Sequence, residues 1–160
     1  MSEPFTSDDL QRFIERNRIQ ATILPMAGHT PTVSDAAREL GVETECIIKS
    51  LVFMSDGSPL LVITNGLARV DRRKLAAYQG VGRKKVKFAS ADQALAITGF
   101  VVGSMPPFGH RQQLPTVVDP AVSQLETVYG GGGDINAMMR LTSRELIRAT
   151  GAQIQAMSET

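Results

Sequence analysis

One lysine lies within an otherwise apolar run of the sequence. Lys49 stands between Ile47 and Leu51, and the period-two alternation of a strand would place all three side chains on one face. An ammonium group on an apolar face is costly unless it reaches water or a ligand. Three interpretations are open from the residues alone: a lysine that snorkels from an edge strand, a cation that binds a phosphate or carbonyl oxygen, or a general base.

A second candidate is the loop at 102–110, in which Gly103 and Gly109 flank paired prolines near the end of a predicted strand. Glycine lets a ligand approach the main chain closely, while each proline locks φ and removes a donor. The loop is therefore either a rigid turn or a set of amides and carbonyls aimed at a ligand. The residues between the two glycines are Ser104, Met105, Pro106, Pro107 and Phe108.

Four consecutive glycines at 130–133, followed by Asp134, form a third candidate. Their amides are free either to cradle an anion or to wall a pocket, and the alternative is a flexible hairpin loop. No Gly-Lys-Ser/Thr follows, and no Gly-x-Gly-x-x-Gly lies at a strand-to-helix junction. The sequence therefore does not support binding of a nucleoside triphosphate or a dinucleotide.

Metal sites and nucleophilic triads have weaker support. The histidines are His29 and His110, the single cysteine is Cys46, and none of them falls at a zinc-ligand spacing. No Gly-x-Ser-x-Gly elbow is present. These patterns give metal ligation and nucleophilic catalysis little support, and we interpret Cys46 as a core residue.

The charge of the chain is unevenly distributed. The 160 residues carry a net charge of +1, yet the segment 69–87 contains eight basic residues and Asp71 as its sole acid. That segment is formally +7, which leaves −6 for the rest of the chain. A basic patch of this kind either binds a polyanion such as a nucleic acid or forms a solvated surface.

The composition excludes several classes of protein. A hydrophobic fraction of 42% and a charged fraction of 21% are ordinary for a globular domain and unlike a disordered chain. The apolar runs are much shorter than a membrane span. The polar N-terminus lacks the pattern of a secretory signal, and one cysteine is typical of a reducing compartment, so we expect a cytoplasmic protein.

Helices and strands alternate along the chain, which predicts a single α/β (α+β) domain with helices packed outside a mixed sheet, and excludes helical bundles and all-β sandwiches. Thr6 or Ser7 is expected to cap the first helix and Asp71 the third, and the Asp56-Gly57-Ser58-Pro59 stretch carries the turn chemistry of a hairpin. Gly41, Gly99 and Gly151 are expected to end helices, and Ser90 with Gln93 and Thr142 with Glu145 form capping-box patterns. Helices are predicted at 8–17, 34–40, 72–78, 94–98 and 146–150, and strands at 21–26, 47–54, 60–64, 86–88, 100–102, 116–118 and 137–141.

Several segments together resemble the YbaK/ProX family of free-standing aminoacyl-tRNA deacylases, which are related to the editing insertion domain of bacterial prolyl-tRNA synthetase. The resemblance is strongest over 29–150, and it implies one editing domain over 1–160 with a mostly antiparallel, partly barrel-like sheet. It also implies hydrolysis of the ester of a mischarged tRNA without metal or cofactor. The segments are 47–53 (IIKSLVF), 70–75 (VDRRKL), 98–103 (TGFVVG), 107–109 (PFG) and 131–134 (GGGD).

The resemblance also implies roles for individual residues. Lys49 matches the family's lysine, and Gly103 with Pro107 matches its Gly-x-x-x-Pro loop. The implied catalytic residues are Lys49, Gly103 and Ser104: the lysine holds the 3′ end of the tRNA, and loop amides bind the oxyanion formed by water attack. The implied pocket residues are Met26, His29, Met105, Pro106, Pro107, Phe108, Gly109, Gly132, Gly133 and Asp134, and the implied tRNA-binding residues are Arg72, Arg73, Lys74, Arg83, Lys84, Lys85 and Lys87.

The resemblance implies that the partner is an aminoacyl-tRNA, namely tRNA-Pro that carries a small non-cognate amino acid. An aminoacyl-tRNA synthetase is a second candidate partner. Many YbaK members carry a basic pair in the glycine-rich loop, whereas this chain has Gly131-Gly132-Gly133-Asp134, so its amino-acid preference is open. Two alternatives are a non-catalytic module that binds tRNA or a synthetase, and a small-molecule hydrolase to which the basic segment is irrelevant.

Overall fold

A computed structural model describes residues 3–28 and 32–159. Within these ranges none of the helices combines the length and apolar character needed to cross a lipid bilayer. The described helices are α1 (Ser7–Arg16), α2 (Val33–Leu40), α3 (Arg72–Gln79), α4 (Ala91–Thr98), α5 (Pro120–Ser123) and α6 (Ser143–Thr150), with 3₁₀ turns at Thr44–Cys46 and Arg83–Lys85. The strands are β1 (Ala21–Pro25), β2 (Ile48–Ser55), β3 (Ser58–Asn65), β4 (Val86–Phe88), β5 (Thr116–Val118), β6 (Thr127–Gly131), β7 (Ala137–Thr142) and β8 (Gln153–Ile154).

The strands form two sheets that meet at one point. The larger sheet has the order β4-β2-β3-β5-β8 and the smaller one the order β1-β7-β6. Only the β3–β5 and β5–β8 pairs of the named strands are parallel, so the predicted mixed, mostly antiparallel arrangement is confirmed. Among the described residues, one isolated bridge, between Ile47 and Tyr129, links the sheets, which do not close into a barrel.

The β2–β3 hairpin is the central layer of the molecule. Its register runs from Ile48 opposite Asn65 to Ser55 opposite Ser58, around the two-residue turn of Asp56 and Gly57. Both turn residues have positive φ, as the predicted turn chemistry requires. One face of the hairpin packs in a cluster with α1, β7 and α6, and the other packs against α3 and β4. Burial on both faces explains why these strands are apolar runs rather than alternating ones.

Most of the predicted helix caps are present. Thr6 caps α1, Asp71 caps α3 and Ser90 forms a full capping box with Gln93, while Gly41 ends α2 in the left-handed conformation. At α6 only half of the predicted box forms. The Thr142 hydroxyl accepts the Glu145 amide, but the Glu145 carboxylate accepts from the Gln20 amide at 2.7 Å and from Arg148 instead. Those contacts with Arg148 and Gln20 lower the pKa of Glu145 to about 2.

The strand predicted at 100–102 is wrong. The backbone around it is engaged locally: the Phe5 amide donates to the Gly99 carbonyl at 2.7 Å, and the Phe100 amide donates to the Thr98 hydroxyl at 3.1 Å. Phe100 is fully buried, so its apolar neighbourhood reflects core packing and not a sheet. The pattern also missed β6, α5 and β8, which are short or end in glycine.

The carboxylate of Asp119 is one of the groups that hold residues 157 and 158 beside α3. Asp119 accepts from the Met157 amide at 2.9 Å and from the Ser158 amide and hydroxyl at 3.0 and 2.9 Å, besides the Ala121 amide at 3.0 Å. Burial by itself would raise the pKa of Asp119, but these hydrogen bonds outweigh it and hold the pKa below 3.8. Met157 is thereby buried beside α3 in the second core cluster.

We expect Asp119→Ala to lower the free energy of unfolding by about 2–4 kcal/mol, because it leaves several buried donors without their charged acceptor. Urea unfolding of the wild type and the variant measures this difference. Asp35→Ala is the control, since Asp35 lies on α2 and, among the described residues, its carboxylate contacts its own helix end and Arg38. Equal unfolding midpoints for wild type and Asp119→Ala would contradict the assignment.

Candidate functional site

A cleft of about 470 Å³ opens where the two sheets part. Strand β2 pairs with β4 only from Phe53 to Ser55, so its first half has a free edge on that side. The end of β6 and the loop after Val102 face this edge. The cleft is lined by Thr32, Val33, Ala36, Ile47, Ile48, Lys49, Ser50, Leu51, Val52, Phe88, Ala89, Ala94, Val102, Gly103, Met105, Gly131 and Met138.

Lys49 is the only ionisable side chain among the described residues that line the cleft. It lies near the start of β2, opposite Thr64 of β3, and its side chain is exposed rather than desolvated. Among the described residues, none of the ion pairs involves it. The structure therefore presents the Lys49 ammonium at the cleft as a cation without a carboxylate partner.

The free edge of β2 also presents main-chain groups. The Val52 carbonyl accepts from the Ala89 amide at 3.0 Å, so Val52 points its backbone groups towards the β4 side. In an antiparallel strand this direction alternates, which places the amide and carbonyl of Ser50 on the same edge, beyond the end of β4. The Ser50 hydroxyl is buried and has no hydrogen-bond partner in the described part of the chain. Sequence reasoning missed Ser50, because its only signal was its place beside Lys49.

The opposite wall is the loop from Val102 to Met105. Gly103 has φ +100°, which favours glycine, and a side chain built there would meet no atom within 4 Å. The Ser104 amide and hydroxyl both donate to the Val101 carbonyl, at 3.1 and 2.9 Å, and its side chain is fully buried. Ser104 therefore shapes the turn, with both of its donors in use. No described residue accepts a hydrogen bond from the amides of Gly103 or Met105, which leaves these two as donors at the loop.

The glycines at 130–133 are needed for packing rather than for flexibility. Gly130 and Gly131 end β6, and a side chain at Gly131 would lie less than 3 Å from the carbonyl oxygens of Met105 and Ser104. The Gly133 amide donates to the Ser104 carbonyl at 3.0 Å. The glycine segment therefore supports the loop from Val102 to Met105. Of the four glycines, only Gly131 lines the cleft.

Several predicted pocket residues lie elsewhere. Asp134 accepts from the Ser7 hydroxyl at 2.6 Å and so joins the glycine segment to α1. Met26 is buried, and its amide donates to the Asn136 carbonyl. Pro107, Phe108 and Gly109 line a separate cavity of about 200 Å³ beside α1. His29 is outside the described residues. Of the residues predicted to surround the substrate, the cleft brings together Lys49, Gly103 and Met105.

His110 braces the proline loop from inside the molecule. Its Nε2 lies 2.8 Å from the Pro106 carbonyl, which can only accept, so this nitrogen carries the hydrogen. The ring also contacts Phe100 edge-on. Burial lowers the pKa of His110, and the hydrogen bond to Pro106 opposes that shift only in part. The folded protein thus favours the neutral imidazole.

The predicted tRNA-binding residues lie on a flank beside the cleft. Arg72, Arg73 and Arg83 line an open cavity of about 480 Å³ next to α3. The Lys74 ammonium donates to the Ser158 carbonyl at 2.6 Å and so also holds the end of the chain. Lys85 lies 3.8 Å from Asp56 at the hairpin turn, about 23 Å from Lys49 along β2. Lys87 directly precedes Phe88, which lines the cleft.

Comparisons with known proteins agree with this fold. A family model described as an aminoacyl-tRNA editing domain matches residues 27–149. The chain is 29% identical to a crystal structure of a candidate trans-editing enzyme for prolyl-tRNA synthetase, with a TM-score of 0.90 and coverage of 96% and 97% of the two chains. It is 31% identical over 116 residues to YwhH of Bacillus subtilis strain 168, an uncharacterised protein, covering 72% of each chain. It is 26% identical over 123 residues to EbsC of Enterococcus faecalis, a candidate Cys-tRNA(Pro)/Cys-tRNA(Cys) deacylase, covering 76% of this chain and 74% of EbsC.

The fold and the family match together identify an aminoacyl-tRNA editing domain. This chain belongs to the aminoacyl-tRNA editing domain family, and the resemblance seen in its motifs is confirmed.

We expect Gly131→Ala to disrupt the cleft. The added methyl group would overlap the Met105 carbonyl, which is main chain and cannot swing aside, so the free energy of unfolding should fall by about 1–3 kcal/mol. Gly82→Ala is a matched control, because a methyl group there meets nothing within 4 Å and the φ of −68° suits alanine. Thermal unfolding of both variants tests this, and equal melting temperatures would contradict the packing role of Gly131.

The neutral state of His110 predicts a pH dependence of stability. In the unfolded chain histidine titrates near 6.5, whereas the folded protein has a lower pKa, so the stabilisation is complete above pH 6.5 and declines as pH falls below it. His110→Gln keeps an N–H donor that does not titrate. We expect the melting temperature of the wild type to fall more between pH 7.5 and 5.5 than that of this variant. Parallel curves for the two proteins would show that His110 does not contribute.

Proposed function

We propose that this protein hydrolyses the ester bond of mischarged aminoacyl-tRNA, acting on tRNA-Pro that carries a small non-cognate amino acid. The observation that carries the proposal is that one cleft is lined by Lys49, which has no ion-pair partner among the described residues, and by Gly103 and Met105, whose amides donate to no described carbonyl. An aminoacyl-tRNA presents a terminal phosphate and an ester carbonyl close together, and these two features need a cation and amide donors. The membership of an editing family supports the same substrate class.

Lys49 is suited to the phosphate. Its ammonium is exposed at the cleft and has no carboxylate partner among the described residues, so binding an anion there disrupts no ion pair. A lysine binds a phosphate as a compact point charge with three donors. In this role Lys49 fixes the 3′-terminal nucleotide so that the ester lies against the loop from Gly103 to Met105.

The reaction is attack of water on the ester carbonyl. As the C–O bond to water forms, the carbonyl oxygen becomes an oxyanion, and the amides of Gly103 and Met105 are the donors proposed to stabilise it. The tetrahedral intermediate then breaks its bond to the ribose oxygen, which takes a proton and leaves as a hydroxyl, and the free amino acid is released. No described cleft residue is a histidine, cysteine or carboxylate. A ribose hydroxyl of the substrate is proposed to position the water.

The walls of the cleft set the size of the amino acid. Ile48, Met105 and Met138 line it, and the rigid Gly131 segment stands behind Met105. A pocket discriminates poorly between side chains that differ by a methylene, so editing relies on excluding the larger cognate residue from a second site. The names of EbsC and of the structural neighbour, which refer to Cys-tRNA(Pro) and to prolyl-tRNA synthetase, support tRNA-Pro as the tRNA. A synthetase is then the natural partner.

We expect wild type to deacylate one or more small mischarged species of tRNA-Pro and Lys49→Ala to lose about 100-fold or more in kcat/KM, because the ester is no longer held against the loop. A panel of tRNA-Pro and tRNA-Ala charged with alanine, cysteine, serine, threonine or proline measures the rates. The affinity for uncharged tRNA should change little, since the basic residues outside the cleft also contribute to tRNA binding. Lys49→Arg should recover part of the activity.

Arg144→Ala is the control variant for loss of one exposed positive charge, because Arg144 lies on α6 outside the cleft. Equal losses of turnover and of tRNA binding in Lys49→Ala would remove its catalytic assignment. A wild type that binds tRNA in a salt-sensitive way but hydrolyses none of the species would instead indicate a non-catalytic tRNA-binding module.

A further inference from the structure

Phe88 is the one aromatic side chain that is largely exposed within the described residues, at 56% of its full accessibility. It is the last residue of β4 and lines the cleft. One part of its ring packs on the fully buried Phe53, with ring centroids 4.3 Å apart and planes tilted by 30°. The ring is therefore anchored on one side and open to the cleft on the other.

Phe88 and Lys49 share one face of the sheet. Lys49, Leu51 and Phe53 alternate onto the same side of β2, and Phe88 is the cross-strand partner of Phe53. Phe53 lies four residue steps beyond Lys49, which is about 13 Å along the strand. That distance is on the scale of a short stretch of single-stranded nucleotides. A strand whose terminal phosphate is at Lys49 therefore has a route past Leu51 to Phe88.

The surroundings of Phe88 favour a nucleic acid over an apolar peptide. Lys87 precedes it and is exposed, and the exposed basic turn Arg83–Lys85 leads into the same strand. Val102, which is also exposed, adds a second apolar side chain to the cleft. Proteins that bind single strands combine cations for the backbone with aromatic side chains on which bases stack.

We propose that Phe88 is a stacking platform for one of the unpaired bases at the 3′ end of the tRNA, beside the terminal phosphate bound by Lys49. The assignment rests on the proposed function for the identity of the strand. It makes Phe88 a positioning residue: it orders the single-stranded end and takes no part in breaking the ester.

The kinetic test compares wild type with Phe88→Ala, Phe88→Leu and Phe88→Trp on the mischarged tRNA that wild type hydrolyses. We expect Phe88→Ala to raise KM about tenfold with little change in kcat, Phe88→Trp to restore KM, and Phe88→Leu to remain impaired. Phe88→Leu preserves apolar packing on Phe53, so its effect separates lost stacking from lost stability. Leu67→Ala is the control, since Leu67 is equally exposed but does not line the cleft.

The binding test does not depend on hydrolysis. An RNA hairpin that ends in the tRNA 3′ sequence carries 2-aminopurine in turn at each unpaired position, and stacking on Phe88 should quench its fluorescence at one of them. Quenching by wild type and Phe88→Trp that is lost in Phe88→Leu supports the platform, even if wild type proves inert as a deacylase and the proposed function fails. An active wild type whose KM and quenching are unchanged in Phe88→Ala and Phe88→Leu would overturn it, as would the absence of quenching at every position.

Discussion

Strand β2 pairs with β3 along its whole length but with β4 only over its last three residues, and the rest of the site depends on this asymmetry. The complete pairing with β3 makes β2 part of the central layer, with a core cluster on each face. The incomplete pairing with β4 leaves the edge around Ser50 open. A strand that is rigid on one side and unpaired on the other can hold a lysine and main-chain groups in a fixed place without a further supporting loop.

The second wall of the cleft is held by contacts between main chains. Gly133 donates to the Ser104 carbonyl, and Gly131 packs where no side chain would fit against Met105. Since the Ser104 side chain and amide are both bonded to Val101, the loop has little freedom to move. Such rigidity suits a site that works with amides and carbonyls, because preorganised donors need no rearrangement as charge develops.

Cations are divided between the cleft and its flank. Lys49 lies in the cleft, while Arg72, Arg73 and Arg83 line a different cavity and Lys85 lies at the hairpin turn. Under the proposed function, the 3′ end of the tRNA enters the cleft and its body lies against the flank. Lys74 of this flank has a structural contact, because its ammonium donates to the Ser158 carbonyl. Together with Asp119 it holds residues 157 and 158 beside α3.

Local patterns predicted much of the fold. The Asp56-Gly57 turn, the caps at Thr6, Asp71 and Ser90, and the apolar runs of β2 and β3 each follow from a few neighbouring residues. The motifs around Lys49 and Gly103 were also sufficient to indicate the family. Patterns failed where the cause lies in residues far away along the chain. Residues 100–102 are apolar because Phe100 fills the core and not because they form a strand. Gly131 of β6 is a glycine because the Met105 backbone leaves no room for a side chain.

The sequence by itself determined the helix ends, the central hairpin, the basic segment and the identity of the lysine, because those features depend on residues close together in the chain. Only the tertiary structure decided which residues face the cleft. It turned Asp134 towards Ser7, engaged the Ser104 hydroxyl with Val101, placed Pro107 and Phe108 in another cavity, and brought Phe88 into line with Lys49. Those outcomes depend on strand register and on where pairing stops, and both are set by contacts between segments that are far apart in the chain.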